Sequence, residues 1–187
     1  MIKYDLEVIL SKNKKLIDLS KTYMMNISDY EHGVSHVNDV LDILYKLMEN
    51  LDVEFNPEVC VIAAYWHDVG RIEKSEGHEA VSAKMLSNAM LKLGYDQEMI
   101  QQCVEAVLFH KWDMNPRTVE GKIVKDADKI AWLGMQRWQD CMQNNQKLDS
   151  IVSLLPKLRN EILSFDYSKQ LYDMYIVKLV QLLYYAK

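Results

Sequence analysis

Pro57-Glu58-Val59-Cys60-Val61-Ile62-Ala63-Ala64-Tyr65-Trp66-His67-Asp68-Val69-Gly70 is the stretch on which the fold turns. A nearly unbroken apolar run, opened by a proline that a first helical turn tolerates and stopped by a glycine, reads as a buried helix. A titratable pair, His67-Asp68, closes that run, where burying it is costly without compensation. A metal ion is the best candidate for the compensating group. Within reach are His36 upstream, and His78, His110 and the Asp126-Ala127-Asp128 cluster downstream.

Outward from this stretch the chain keeps a helical apolar spacing. Val37, Val40, Leu41, Leu44, Leu47 and Met48 share one face, as do Ile100, Cys103, Val104, Val107 and Leu108. An N-terminal helix is expected over about Asp5 to Met24, one from about His78 to Leu93 after the Ser75-Glu76-Gly77 loop, and a long one from about Val119 to Gln139 after Asn115-Pro116. Segments from about Ser150 to Leu163 and Tyr167 to Tyr185 close the molecule. The expected fold class is all-α, about seven or eight helices with no strand pattern.

The 187 residues, 49% of them hydrophobic, suit one substantial core better than two, so a single domain over 1–187 is expected. A net charge of -5 argues against a general nucleic-acid or anionic-membrane surface, and no stretch approaches the roughly 20 apolar residues of a bilayer span. The start, Met1-Ile2-Lys3-Tyr4-Asp5, opens no signal pattern. A cytoplasmic protein with a small partner is expected, its oligomeric state open, a homodimer included. Cys60, Cys103 and Cys141 are odd in number and far apart, as reduced core thiols would be.

Helical geometry separates the two aspartates, because residues three and four apart share a face. Asp126 has Lys122 and Lys129 as such neighbours and reads as a solvated or lysine-paired carboxylate. Asp128 is set mostly against Val124, Ala131 and Trp132, with Lys125 its one local cation, and is the better ligand candidate.

Five segments in order resemble the HD superfamily of metal-dependent phosphohydrolases: Glu31-His32-Gly33-Val34-Ser35-His36-Val37, Tyr65-Trp66-His67-Asp68-Val69-Gly70-Arg71, Gly77-His78-Glu79-Ala80-Val81-Ser82-Ala83, Phe109-His110-Lys111, and Ile123-Val124-Lys125-Asp126-Ala127-Asp128-Lys129-Ile130. The resemblance spans about residues 29–134, with helices over 150–186 expected to complete the core. It implies a helical HD-domain bundle in which His36, His67, Asp68 and Asp128 bind one divalent transition metal, whether Mn, Fe, Ni, Co or Zn. It also implies cleavage of a phosphoester or pyrophosphate bond of a nucleotide or other small phosphorylated metabolite by metal-bound hydroxide. In some branches histidines placed like His78 and His110 bind a second ion; in others they face the substrate phosphate. Two further readings stay open: a di-iron oxygenase with a similar six-ligand set, and a non-catalytic nucleotide sensor.

Asp68, His78, His110, Arg71 and Lys129 are the expected catalytic residues, with Arg71 suited to phosphate oxygens or else to a salt bridge, and Lys129 to the site or else to Asp126. His32 is either exposed or placed to orient His36 or touch substrate. Trp66, Trp112, Trp132 and Trp138 are core residues by default, with Trp66 and Trp112 able to wall a pocket for a flat group. After Asp128-Lys129 the chain reads Ile130-Ala131-Trp132-Leu133-Gly134, where similar relatives carry another acid and small residues.

Overall fold

The computed structural model describes residues 4–27, 32–134 and 148–185, and all regular structure among them is helical. The described residues form nine α-helices: α1 Leu6–Lys12, α2 Lys14–Met24, α3 Val34–Asn50, α4 Pro57–Trp66, α5 His78–Leu93, α6 Gln97–Leu108, α7 Val119–Ala131, α8 Leu148–Lys157 and α9 Asp166–Tyr185. A 3₁₀ turn, Val69–Ile72, follows α4, and a π-helical turn, Leu158–Ile162, follows α8. Among the described residues, no helix is long and apolar enough to cross a membrane.

The all-α expectation holds, with one helix more than expected among the described residues alone. The N-terminal segment splits because the Asn13 amide donates to the Ile9 carbonyl at 2.8 Å and to Glu58 Oε1 at 2.9 Å, competing with the helical ladder. The Tyr95 hydroxyl donates to Asn13 Oδ1 at 2.6 Å, so the buried break is satisfied by packing partners. The helix expected to reach Gln139 instead ends at Ala131, where Leu133 and Gly134 donate to carbonyls three residues back and tighten the chain out of the helix. Trp138 and Cys141 lie outside the described residues.

Helix α4 is the axis of the core. Asn56 caps it, Pro57 takes a first-turn position, and every side chain from Val59 to Trp66 is buried. It packs against α2, α3, α5, α6 and α7, which explains why it has no polar face. Helices α3 and α7 pack closely on one side, α5 and α6 on the other, so the C-terminal end of α4 is where four other helices meet. That end carries His67 and Asp68.

Gly70 locks this arrangement. A Cβ there would stand 2.3 Å from the His78 carbonyl oxygen and 2.6 Å from the Ser82 nitrogen, so the 3₁₀ turn lies directly on the first turn of α5. The Gly70 N–H donates to Ser82 Oγ at 2.8 Å. Close approach, rather than a helix stop alone, accounts for the glycine.

Candidate metal centre

Each candidate ligand sits at or near a helix end. His36 is in the first turn of α3, His67 caps the C-terminus of α4, Asp68 follows it, His78 opens α5, His110 lies just beyond α6, and Asp128 is in the last turn of α7. All six are buried. They form two groups, His36 with His67 and Asp128, and Asp68 with His78 and His110.

Asp68 joins the groups through its two oxygens. Its Oδ2 lies 3.6 Å from His67 Nε2 and 3.9 Å from His36 Nε2. Its Oδ1 lies 2.9 Å from His78 Nε2 and 3.7 Å from His110 Nε2. Within the first group, Asp128 Oδ1 is 3.1 Å from His36 Nε2 and 3.8 Å from His67 Nε2, and the two imidazole nitrogens are 3.4 Å apart.

The chemistry of these donors points to cations. His67, His78 and His110 each place Nδ1 against a backbone carbonyl, of Ala64 at 2.8 Å, Ser75 at 2.8 Å and Val107 at 2.6 Å. A carbonyl only accepts, so Nδ1 carries the hydrogen and, in the neutral ring, Nε2 presents its lone pair to the centre. Lone pairs of the His67, His78 and His110 Nε2 atoms therefore converge with carboxylate oxygens. Asp68 Oδ1 is buried without a directed hydrogen bond, and the protein meets its charge only through the Arg71 guanidinium at 2.9 Å. The donor set, imidazole nitrogens oriented by their outer hydrogen bonds together with carboxylate oxygens, fits a divalent transition metal in either group.

Protonation states favour ligation. Burial, only partly opposed by Asp68 and Asp128, pushes His67 down to about 4 and keeps its ring neutral near pH 7. Burial alone would raise the Asp68 carboxyl, but His67, His110, His78 and Arg71 outweigh it and hold the group well below the usual carboxylate range. Burial is likewise outweighed at Asp128, by Lys129 and by His36 and His67.

Both expected phosphate-binding cations are at the site. Arg71 Nε is 2.9 Å from Asp68 Oδ1, and the Lys129 ammonium pairs with Asp128 Oδ2 while lying 5.4 Å above the Trp112 ring centre. They face a cleft of about 220 Å³ whose walls include His32, Arg71, Lys111, Trp112, Lys129 and Trp132.

Other residues depart from expectation. Trp66 does not wall the cleft: it is fully buried and donates Nε1 to the Leu16 carbonyl at 3.2 Å, because its side of α4 faces α2. Trp132, expected in the core, lines the cleft and meets Trp112 edge to face at 5.5 Å. Asp126 is neither solvated nor lysine-paired. Its carboxylate accepts from the Ser164 and Phe165 backbone N–H groups and pins the segment before α9 onto α7. Lys125, the one cation the sequence offered Asp128, donates instead to the Met114 carbonyl. Glu79 passed unremarked in the sequence; it is buried behind His78, with Oε2 3.6 Å from His78 Nδ1. An acid directly following a histidine at a helix start was the available signal.

The HD domain model matches residues 33–133, the span that carries all six residues. Two solved structures share the fold. A predicted HD superfamily hydrolase from an uncultured Thermotogales bacterium superposes with a TM-score of 0.72 at 16% identity, covering 96% of this chain and 95% of that one. Bacillus subtilis YpgQ in complex with ADP superposes with a TM-score of 0.65 at 17% identity, covering 94% and 96%. Comparison with curated proteins finds no match.

Proposed function

This chain belongs to the HD domain family, and from that premise we propose that it is a metal-dependent phosphohydrolase acting on a nucleotide or other small phosphorylated metabolite. The observation that carries the proposal is Asp68, whose two oxygens reach separate groups of buried imidazole nitrogens and leave Oδ1 without a hydrogen bond. Divalent ions held by His36, His67 and Asp128 and by Asp68, His78 and His110 would supply an activated water and neutralise phosphate charge.

The chain's own residues supply the rest. Arg71, Lys111 and Lys129 line the cleft and offer cationic donors to phosphate oxygens, while Trp112 and Trp132 present an apolar wall to the part of the substrate beyond the phosphate. Carbonyls of Ala64, Ser75 and Val107 fix the three imidazoles so that each turns the same nitrogen inward. A cleft of about 220 Å³ is smaller than the roughly 300–1,000 Å³ usual for ligand sites, which favours a small molecule over a polymer. The fold shared with the ADP-bound YpgQ supports placing nucleotides first among candidate substrates.

The same bridged donor set is also what a two-iron centre requires, so a di-iron oxygenase is the second reading. One screen separates them: phosphate release from nucleotides and sugar phosphates with manganese, cobalt, nickel, iron and magnesium, run beside oxygen uptake with iron. Metal-dependent phosphate release that Asp68→Ala abolishes is the expected result. Oxygen consumption by a two-iron protein with no phosphate release contradicts it.

A further inference from the structure

We infer that Arg71 and Lys129 compete with metal ions for the carboxylates of the site, and that a bound ion releases them to hold phosphate, so metal and phosphate bind as a coupled pair. This rests on reading the site as that of a metal-dependent phosphohydrolase.

Asp68 Oδ1 is the point of competition. His78 Nε2 and Arg71 Nε both lie 2.9 Å from it, and His110 Nε2 lies 3.7 Å away. An ion coordinated by this oxygen and the two imidazoles places its charge beside the guanidinium, where low dielectric and burial make like charges repel strongly. Although Nε and Oδ1 are close, neither makes a directed hydrogen bond, so charge is what holds Arg71 on this oxygen, and a cation at the same oxygen would take over that role. The remaining tie is a long contact, 3.4 Å, from Nη1 to Ser75 Oγ. Arg71 also lies in the cleft wall, with a guanidinium whose fork matches phosphate oxygens.

Lys129 repeats the arrangement on the other carboxylate. Its ammonium holds Asp128 Oδ2, the oxygen turned away from His36, and it too lines the cleft. Within the protein itself, two carboxylates are thus matched by two cations. Each added divalent ion leaves an excess of positive charge at the cleft, and a phosphate dianion is the chemical complement.

The test titrates the chelator-treated full chain with manganese(II), reading free ion by electron paramagnetic resonance, with and without inorganic phosphate. In the wild type, phosphate should tighten manganese binding about tenfold, within the usual range of coupling between sites. Arg71→Gln should bind manganese more tightly than wild type when phosphate is absent, and phosphate should then add little. Arg71→Lys, which keeps the charge, should stay near wild type, and Lys129→Gln should shift in the same direction as Arg71→Gln, giving a second reading should that variant fold poorly. If both glutamine variants bind manganese no more tightly than wild type, or phosphate tightens binding in them by the wild-type factor, the competition is overturned. That result alongside wild-type phosphate release would leave the proposed hydrolysis standing. No manganese binding by the wild type would overturn both.

Discussion

Asp126 and Asp128 stand two residues apart on α7 and serve opposite sides of it. Asp128 Oδ1 lies 3.1 Å from His36 Nε2, whereas Asp126 Oδ2 accepts from the Ser164 N–H at 2.9 Å. At 3.6 residues per turn, positions two apart are roughly 200° apart around the axis, so one helix delivers one carboxylate to the site and another to the C-terminal segment.

Their alanine variants should therefore fail differently. Asp126→Ala removes the acceptor of the Ser164 and Phe165 backbone N–H groups, at about 0.5–1.5 kcal/mol for each hydrogen bond lost. Its melting temperature should fall clearly in a calorimetric scan, with manganese still bound. Asp128→Ala leaves the buried Lys129 ammonium without its partner, so it too should lose stability, but it alone should bind manganese at least tenfold more weakly. Equal loss of manganese affinity in both would contradict the division.

Helix positions were legible because periodicity, Pro57 and the Asn115-Pro116 break are local signals. Asp128 does lie beside the histidines, but the neighbours three and four residues away did not separate it from Asp126 on the grounds expected, since Asp126 is buried as well. What escaped depends on partners distant in sequence. Asp126 meets donors 38 and 39 residues on, and the split at Asn13 depends on Glu58 and Tyr95. Nothing near Trp66 or Trp132 shows which faces the cleft, because that depends on which helix packs against each. The sharing of Asp68 between two histidine groups requires the ends of α3, α4, α5 and α7 and the segment after α6 to converge, and no spacing within one helix encodes it.

Gly70 joins the two groups mechanically. Gly70→Ala forces a methyl group against the first turn of α5, and relief requires the turn bearing Asp68 to separate from His78. A stability loss of about 1–3 kcal/mol is expected from overpacking. Metal-dependent phosphate release should fall at least tenfold at temperatures where circular dichroism shows the fold intact. Wild-type turnover in this variant would mean that the close approach does not set the site's geometry.

Cys60 and Cys103 should behave as inert core thiols. Burial pushes both well above the ordinary thiol range, helped at Cys60 by Glu120 and at Cys103 by Glu58. A raised folded-state value favours the neutral thiol, so this contribution to stability is intact below about 8.5, the unfolded value, and is lost as pH rises toward the folded one. At pH 8, iodoacetamide should label both cysteines in denaturant and neither in the native protein, as read by peptide mass spectrometry. Rapid native labelling of either would contradict the burial.

The most direct measurement of the central claim is the anomalous scattering of a crystal of the wild-type protein grown with manganese. Two peaks are predicted, one among His36, His67 and Asp128 and one between His78 and His110, with Asp68 reaching both through its two oxygens. The absence of any peak within coordination distance of Asp68 would contradict the account, and a single peak with none at His78 and His110 would contradict the bridging role assigned to Asp68.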